Sequence, residues 1–201
     1  MNASFCVYPP SHLLVLLSCP SLVQDLKTRS PQFDPNRLNN DSYSAQLGNL
    51  VFFVEDDARY GRELYVTDGS FAGTRMVADI YPGARSSSPI HLVSLGNYVY
   101  FLANDGQSGV ELFRSDGSPD GTELVADLIP DYSSFVGPEN LSVAGDRIYL
   151  STDNNRLLWS YHPATNQPQL VVALPSGIIP QRISGPVQND PGKAFITTVA
   201  L

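Results

Sequence analysis

The stretch Glu63–Thr74, ELYVTDGSFAGT, returns 48 positions later as Glu111–Thr122, ELFRSDGSPDGT. Aligned without gaps at that distance, Gly48–Ser86 and Gly96–Ser134 are identical at 18 of 39 positions, which makes the chain an internal repeat. A repeat constrains the fold before any local pattern does, because each unit must present a face that its neighbour can cover. A third, eroded copy begins at GDRIYLST, Gly145–Thr152, and continues through LLWSYHPATNQPQLVVAL, Leu157–Leu174. A fourth starts at PQRISG, Pro180–Gly185, and runs into KAFITT.

Each unit contains four short runs that read as strands. In the second copy these are the lead-in IHLV, then YVYFLAND, VELFRSDG and TELVADLI. Gly, Asp, Asn, Pro or Ser separate the runs, and no sustained i, i+3, i+4, i+7 apolar rhythm points to a helix. YVYFLA is apolar on both faces, as suits a strand between two neighbouring sheets, whereas VELFRSD alternates, as suits a strand nearer an outer edge. Four strands in about 48 residues match one blade of a β-propeller, while the rungs of a β-solenoid are shorter, on the order of 20–30 residues. The expected fold is all-β and propeller-like. Its blades span 44–88, 89–137 and 138–179, with a partial blade at 180–201. That is an incomplete ring, since propellers have typically about 4–8 blades. A homo-oligomer that supplies the missing blades is one expectation that follows.

The recurring DGS phrase reads as a turn specification. Gly69 and Gly117 supply the positive φ of a tight hairpin, and the Asp68 and Asp116 carboxylates accept hydrogen bonds from nearby backbone N–H groups. Gly73 and Gly121 then lead into the next strand. Recurrence at equivalent positions argues for a shared structural role of Asp68, Asp116, Asp79 and Asp127. One ligand reading stands beside it: Asp57 with Glu63, and Asp105 with Glu111, flank Gly-containing turns and could converge on Ca²⁺, which takes oxygen ligands. Their spacing departs from an EF-hand loop. Apart from this calcium candidate no cofactor is indicated.

The same residues resemble a known family. ELYVTDGSFAGTRMVADIYPGARSSSP and YFLANDGQSGVELFRSDGSPDGT are similar to the bacterial ELWxxDGT repeat, GxELWxSDGTxxGTxLVxDIxPGxxSS. Tyr65 and Phe113 stand in place of its Trp, and Trp159 takes that place in the third copy. The resemblance is strong over residues 48–134 and weak over 138–200. It implies a propeller-like, secreted or surface repeat protein and transfers no catalytic residue.

Composition limits the partners. The formal charge is -8 and the isoelectric point about 4.6, and no Lys/Arg cluster provides the footprint of a nucleic-acid binder. Both cysteines, Cys6 and Cys19, precede the repeats, so neither staples them. Residues 1–24 contain the apolar HLLVLLSC, His12–Cys19, whose unbroken run Leu13–Leu17 is too short for a transmembrane segment. It reads as a signal h-region, with Cys19 as a lipoprotein acylation site. The alternative is an unstructured N-terminus, since residues 1–12 carry no Lys or Arg. Residues 25–43 read as a polar linker to the repeat domain at 44–201.

None of His12, His91 and His162 has a partner at metal-ligand spacing, and no nucleophile or phosphate-loop motif occurs. Where the copies disagree, Arg59, Tyr60, Arg62 and Arg75 have no equivalent charge in the second copy, Arg85 and His91 are likewise unmatched, and Tyr161–His162 replace a turn in the third, so these are the ligand-contact candidates. The leading expectation is a non-enzymatic module at the cell surface or outside the cell that binds a protein or glycan. The alternatives are a carbohydrate-active hydrolase or lyase with its site at the propeller channel, and a truncated fragment without function.

Overall fold

The computed structural model describes residues 43–128, 138, 140–152, 157–173, 178–187 and 190–200, the last two ranges as backbone only. The segment 1–24 with Cys19, the linker apart from Tyr43, and the loop 129–137 lie outside the described residues. Three four-stranded antiparallel sheets follow one another along the chain, each a meander in sequence order. Sheet one is β1 (Ser44–Leu47), β2 (Leu50–Asp57), β3 (Gly61–Thr67) and β4 (Arg75–Met76). Sheet two is β5 (Ile90–Leu95), β6 (Tyr98–Asn104), β7 (Val110–Ser115) and β8 (Glu123–Ala126). Sheet three is β9 (Asn140–Ala144), β10 (Arg147–Thr152), β11 (Leu157–His162) and β12 (Gln167–Ala173). A two-stranded hairpin, β13 (Ile178–Val187) with β14 (Asp190–Ala200), completes the order. Among the described residues there is no helix, so none that could cross a membrane.

The sheets stack face to face, with sheet two in the middle. Successive side chains of a strand point to opposite faces, and β6 uses both. Val99, Phe101 and Ala103 enter a core with Phe52, Leu64 and Val66 of sheet one. Tyr100 and Leu102 enter a second core with Leu141, Ile148 and Leu150 of sheet three. All five β6 residues are fully buried, and burying a side chain of this size stabilises by about 1.5–3 kcal/mol. This is why YVYFLA has no polar face. The first strands of successive sheets neighbour one another, β1 beside β5 and β5 beside β9, and the terminal hairpin lies against β9. Towards the other side, exposed residues such as Leu170 and Val171 of β12 and Leu124 of β8 mark the outer strands.

The alternation in VELFRSD does not report an exposed face. β7 lies between β6 and β8, and its polar residues Glu111 and Ser115 are as buried as Leu112 and Phe113. Polar residues on a buried strand must be hydrogen-bonded, and both are.

Register ties the three copies together. Tyr65 pairs with Phe53, Phe113 with Phe101, and Trp159 with Leu150. The aromatic position of the motif therefore has the same cross-strand partner position in each sheet. In sheet two the stacked Phe101–Phe113 pair faces sheet one, and in sheet three Leu150 and Trp159 face sheet two.

Candidate functional site

The DGS turns are built alike in both copies. Asp68 Oδ1 accepts hydrogen bonds from the Ser70 amide at 2.8 Å and the Ser70 hydroxyl at 2.6 Å. The same hydroxyl accepts from the Gly73 amide at 3.0 Å, and Thr74 Oγ1 donates to the Ser70 carbonyl at 2.7 Å. In the second copy Asp116, Ser118, Gly121 and Thr122 repeat every bond within 0.1 Å. Ser70 and Ser118 hold the Asp68 and Asp116 carboxyls below the usual aspartate range, because hydrogen bonds favour the charged form.

The connection is longer than a tight hairpin, since Asp68–Thr74 separates β3 from β4. Its two glycines serve different ends. Gly69 and Gly117 have φ of 89° and 95°, where an L side chain is strained. At Gly73 and Gly121 a β-carbon would overlap the carboxylate of Asp68 or Asp116.

Glu63 and Glu111 act inside the fold. The Glu63 carboxylate accepts from the Ser87 amide at 2.9 Å, the Ser87 hydroxyl, and the Ile80 amide at 3.3 Å. Burial pushes its pKa above the ordinary glutamate value, although these hydrogen bonds pull the other way. Glu111 accepts from the Leu128 amide at 2.8 Å, which is the counterpart of Ile80 one repeat on. Each glutamate thus latches the segment after the fourth strand back onto the third. The turn carboxylates are engaged differently. Asp57 Oδ1 accepts from the amides of Arg59 and Tyr60, and Asp105 Oδ1 from those of Gln107 and Ser108. The four calcium candidates are therefore directed at backbone N–H groups of their own repeats. No three His, Cys, Asp or Glu side chains gather as a cation would require among the described residues.

The residues that break the repeat meet at one end of sheet one. The β2–β3 turn carries Arg59 and Tyr60, the start of β3 carries Arg62, and the loop before β5 carries Tyr81 and Arg85. Arg62 N donates to Ser86 Oγ at 2.9 Å and Ser88 N to the Arg62 carbonyl at 3.0 Å, which clamps turn to loop. Gly61, with φ of 72°, has no room for a side chain because the Arg85 carbonyl is too close. Three guanidinium groups stack on three phenol rings: Arg59 on Tyr60 at 5.0 Å, Arg62 on Tyr43 at 4.7 Å and Arg85 on Tyr81 at 5.7 Å. Arg85 also donates to Tyr81 Oη at 2.8 Å. The Tyr81 ring packs against Gly106 in the β6–β7 turn, so the cluster reaches sheet two.

The other candidates lie elsewhere. Arg75 donates to the Gly117 carbonyl at 2.6 Å and so joins sheet one to the DGS turn of sheet two. His91 sits at a register shift in β5 with φ of 55°. His162 ends β11 and is partly buried: its Nε2 lies 3.1 Å from Asp146 Oδ2, and its Nδ1 accepts from the Ala164 amide at 3.0 Å.

Ser87, Tyr43 and Tyr81 were not legible as site residues. Ser87 is 24 positions from its glutamate, Tyr43 precedes the aligned repeat, and Tyr81 stands at an unspecified position of the motif. The one available signal was at Tyr81, where the second copy has Ile129.

No protein-family model matches the chain, and no curated protein matches it in sequence. Solved structures do match. A domain described as the extracellular part of a one component system of B. thetaiotaomicron aligns over 78% of this chain at 17% identity and a TM-score of 0.49. The tricorn protease aligns over 70% at 14% identity and 0.45, and the computationally designed Ika4 protein over 79% at 14% identity and 0.43. The chain spans 19% of the first of these, 14% of the second and 89% of the third.

Proposed function

We propose that the chain is a non-enzymatic, propeller-like repeat module of the ELWxxDGT kind, exported to the surface or medium, that binds a protein or glycan through the loops at one end of its sheets. One observation carries this reading. The carboxylates that recur between copies, Asp57, Glu63, Asp68 and their counterparts, all accept hydrogen bonds from the backbone of their own repeat. Acids committed to holding turns are poor candidates for a general acid or a nucleophile, which a glycosidase needs as a pair about 5–10 Å apart across a bound sugar.

The ring reading draws support from the stacking. Sheets two and three each turn the equivalent cross-strand pair, Phe101–Phe113 and Leu150–Trp159, toward the preceding sheet. Sheet one has the same pair, Phe53 and Tyr65 with ring centroids 5.8 Å apart, on the face away from sheet two. By the same rule that face belongs against a further sheet. The neighbouring positions of β1, β5 and β9 suit an arrangement in which first strands surround a central axis.

The test is to incubate the full chain with a panel of neutral and acidic polysaccharides, reading retention and newly formed reducing ends together. Retention without new reducing ends is the expected result. New reducing ends would overturn the module reading in favour of a hydrolase or lyase.

A further inference from the structure

We propose that the Arg59–Arg62–Arg85 end of sheet one binds the carboxylate groups of an acidic oligosaccharide. This rests on the interaction-module reading above and names the ligand class for it.

In a repeat, positions that recur are explained by the fold, and positions that depart together ask for another cause. Arg59, Tyr60, Arg62, Tyr81 and Arg85 correspond one repeat later to Gln107, Ser108, Val110, Ile129 and Ser133. These five departures fall on two segments about twenty residues apart in the chain, yet the fold brings them together through the Arg62–Ser86 and Arg62–Ser88 hydrogen bonds. They give the first repeat three cations and two rings where the second has no charge at all.

These arginines differ from the others in what they touch. Arg114 and Arg147 each pair with a carboxylate, Glu123 and Asp146, and Arg75 is bound to a carbonyl. Arg59, Arg62 and Arg85 lie against tyrosine rings, as Arg114 does against Tyr98, but without a paired carboxylate among the described residues. Stacking orients a guanidinium while leaving N–H donors for a carboxylate, which it can receive in two parallel hydrogen bonds; Arg85 spends one donor on Tyr81 Oη and keeps the rest. Arg59 and Arg85 are exposed and Arg62 half-buried, and its Nε is buried without a hydrogen-bond partner.

The surroundings restrict the ligand. Glu55, Asp56 and Asp57 lie on the adjoining strand, with Asp57 engaged by the turn amides, and the chain as a whole carries -8. A dense polyanion such as a nucleic acid would meet repulsion on every side. Carboxylates spaced along an otherwise neutral chain would not, and the rings of Tyr43, Tyr60 and Tyr81 provide amphipathic surface for the pyranose between them.

The experiment is calorimetric titration of the full chain with an oligogalacturonate, its methyl ester and an oligoglutamate peptide. It is repeated on a variant taking the residues of the second repeat, Arg59→Gln, Arg62→Val and Arg85→Ser. The expected result is binding of the oligogalacturonate, weaker by about tenfold or more for the ester and for the variant, as loss of charge-assisted hydrogen bonds entails. The thermal midpoint of the variant should be unchanged. Should the triple variant fail to fold, Arg59→Gln and Arg85→Ser at exposed positions give the same reading singly. Equal binding of acid and ester, undiminished affinity in the variants, or no binding of the oligogalacturonate would overturn the proposal, as would preference for the peptide. Retention of a neutral polysaccharide alone would sink this inference and leave the module reading standing, whereas new reducing ends would sink that reading without touching the charge dependence.

Discussion

At Gly73 and Gly121 the cause of the residue choice is a neighbour rather than the backbone torsion. A β-carbon there would meet the carboxylate of Asp68 or Asp116, so Gly73→Ala must open the turn or displace the acid. It should cost about 1–3 kcal/mol in chemical denaturation. Gly48→Ala, at φ of 61° but with open space around it, should cost about 1–2 kcal/mol from strain alone. The acids leave a signature in pH. Asp68 and Asp116 are held below the usual aspartate range. Their contribution is complete above the unfolded value of about 3.9 and is lost as pH falls through the folded one. Glu63 runs the opposite way. Burial raises its folded pKa, so its contribution is complete below the unfolded value of about 4.3 and declines as pH rises through the folded one. The stability difference between wild type and Glu63→Gln should therefore shrink as pH is raised from about 4, measured by denaturant titration at a series of pH values.

At the scale of the element, β6 is where two cores share one strand. Phe101→Ala should cost about 3–5 kcal/mol by opening the core between sheets one and two, and Leu102→Ala about 2–5 kcal/mol on the opposite face. Leu170→Ala on exposed β12 should change stability by about 0.5 kcal/mol or less. The strands themselves were legible because apolar runs of this length, bounded by Gly, Asn and Asp, have few other ways to satisfy their backbones. Two-faced burial of YVYFLA was legible for the same reason. The status of β7 was not, since a buried, hydrogen-bonded Glu111 and an exposed one spell the same alternation. The partner that decides the matter, the Leu128 amide, belongs to the segment after β8. The setting of His162 is hidden from the sequence in the same way: its carboxylate partner Asp146 lies 16 positions away.

At the scale of the molecule, the repeat separates residues that hold the fold from residues free to vary. Glu63, Glu111, Asp68 and Asp116 serve the same ends in each copy, while the Arg–Tyr end of sheet one has no second instance. The repeat made the first group readable from sequence. The second appeared only as scattered disagreements until the turn at 57–61 and the loop at 81–88 were brought together. The central claim is that the repeated glutamates are latches for backbone amides rather than ligands. The thermal midpoint of Glu63→Ala and of Glu111→Ala, measured in excess calcium and again in chelator, tests it most directly. Each substitution strands buried amide donors, so each midpoint should fall by about 5 °C or more, by the same amount in both buffers, with the wild-type midpoint indifferent to calcium. A wild-type midpoint raised by calcium, together with variants that match the calcium-free wild type, would contradict the claim and make these carboxylates cation ligands.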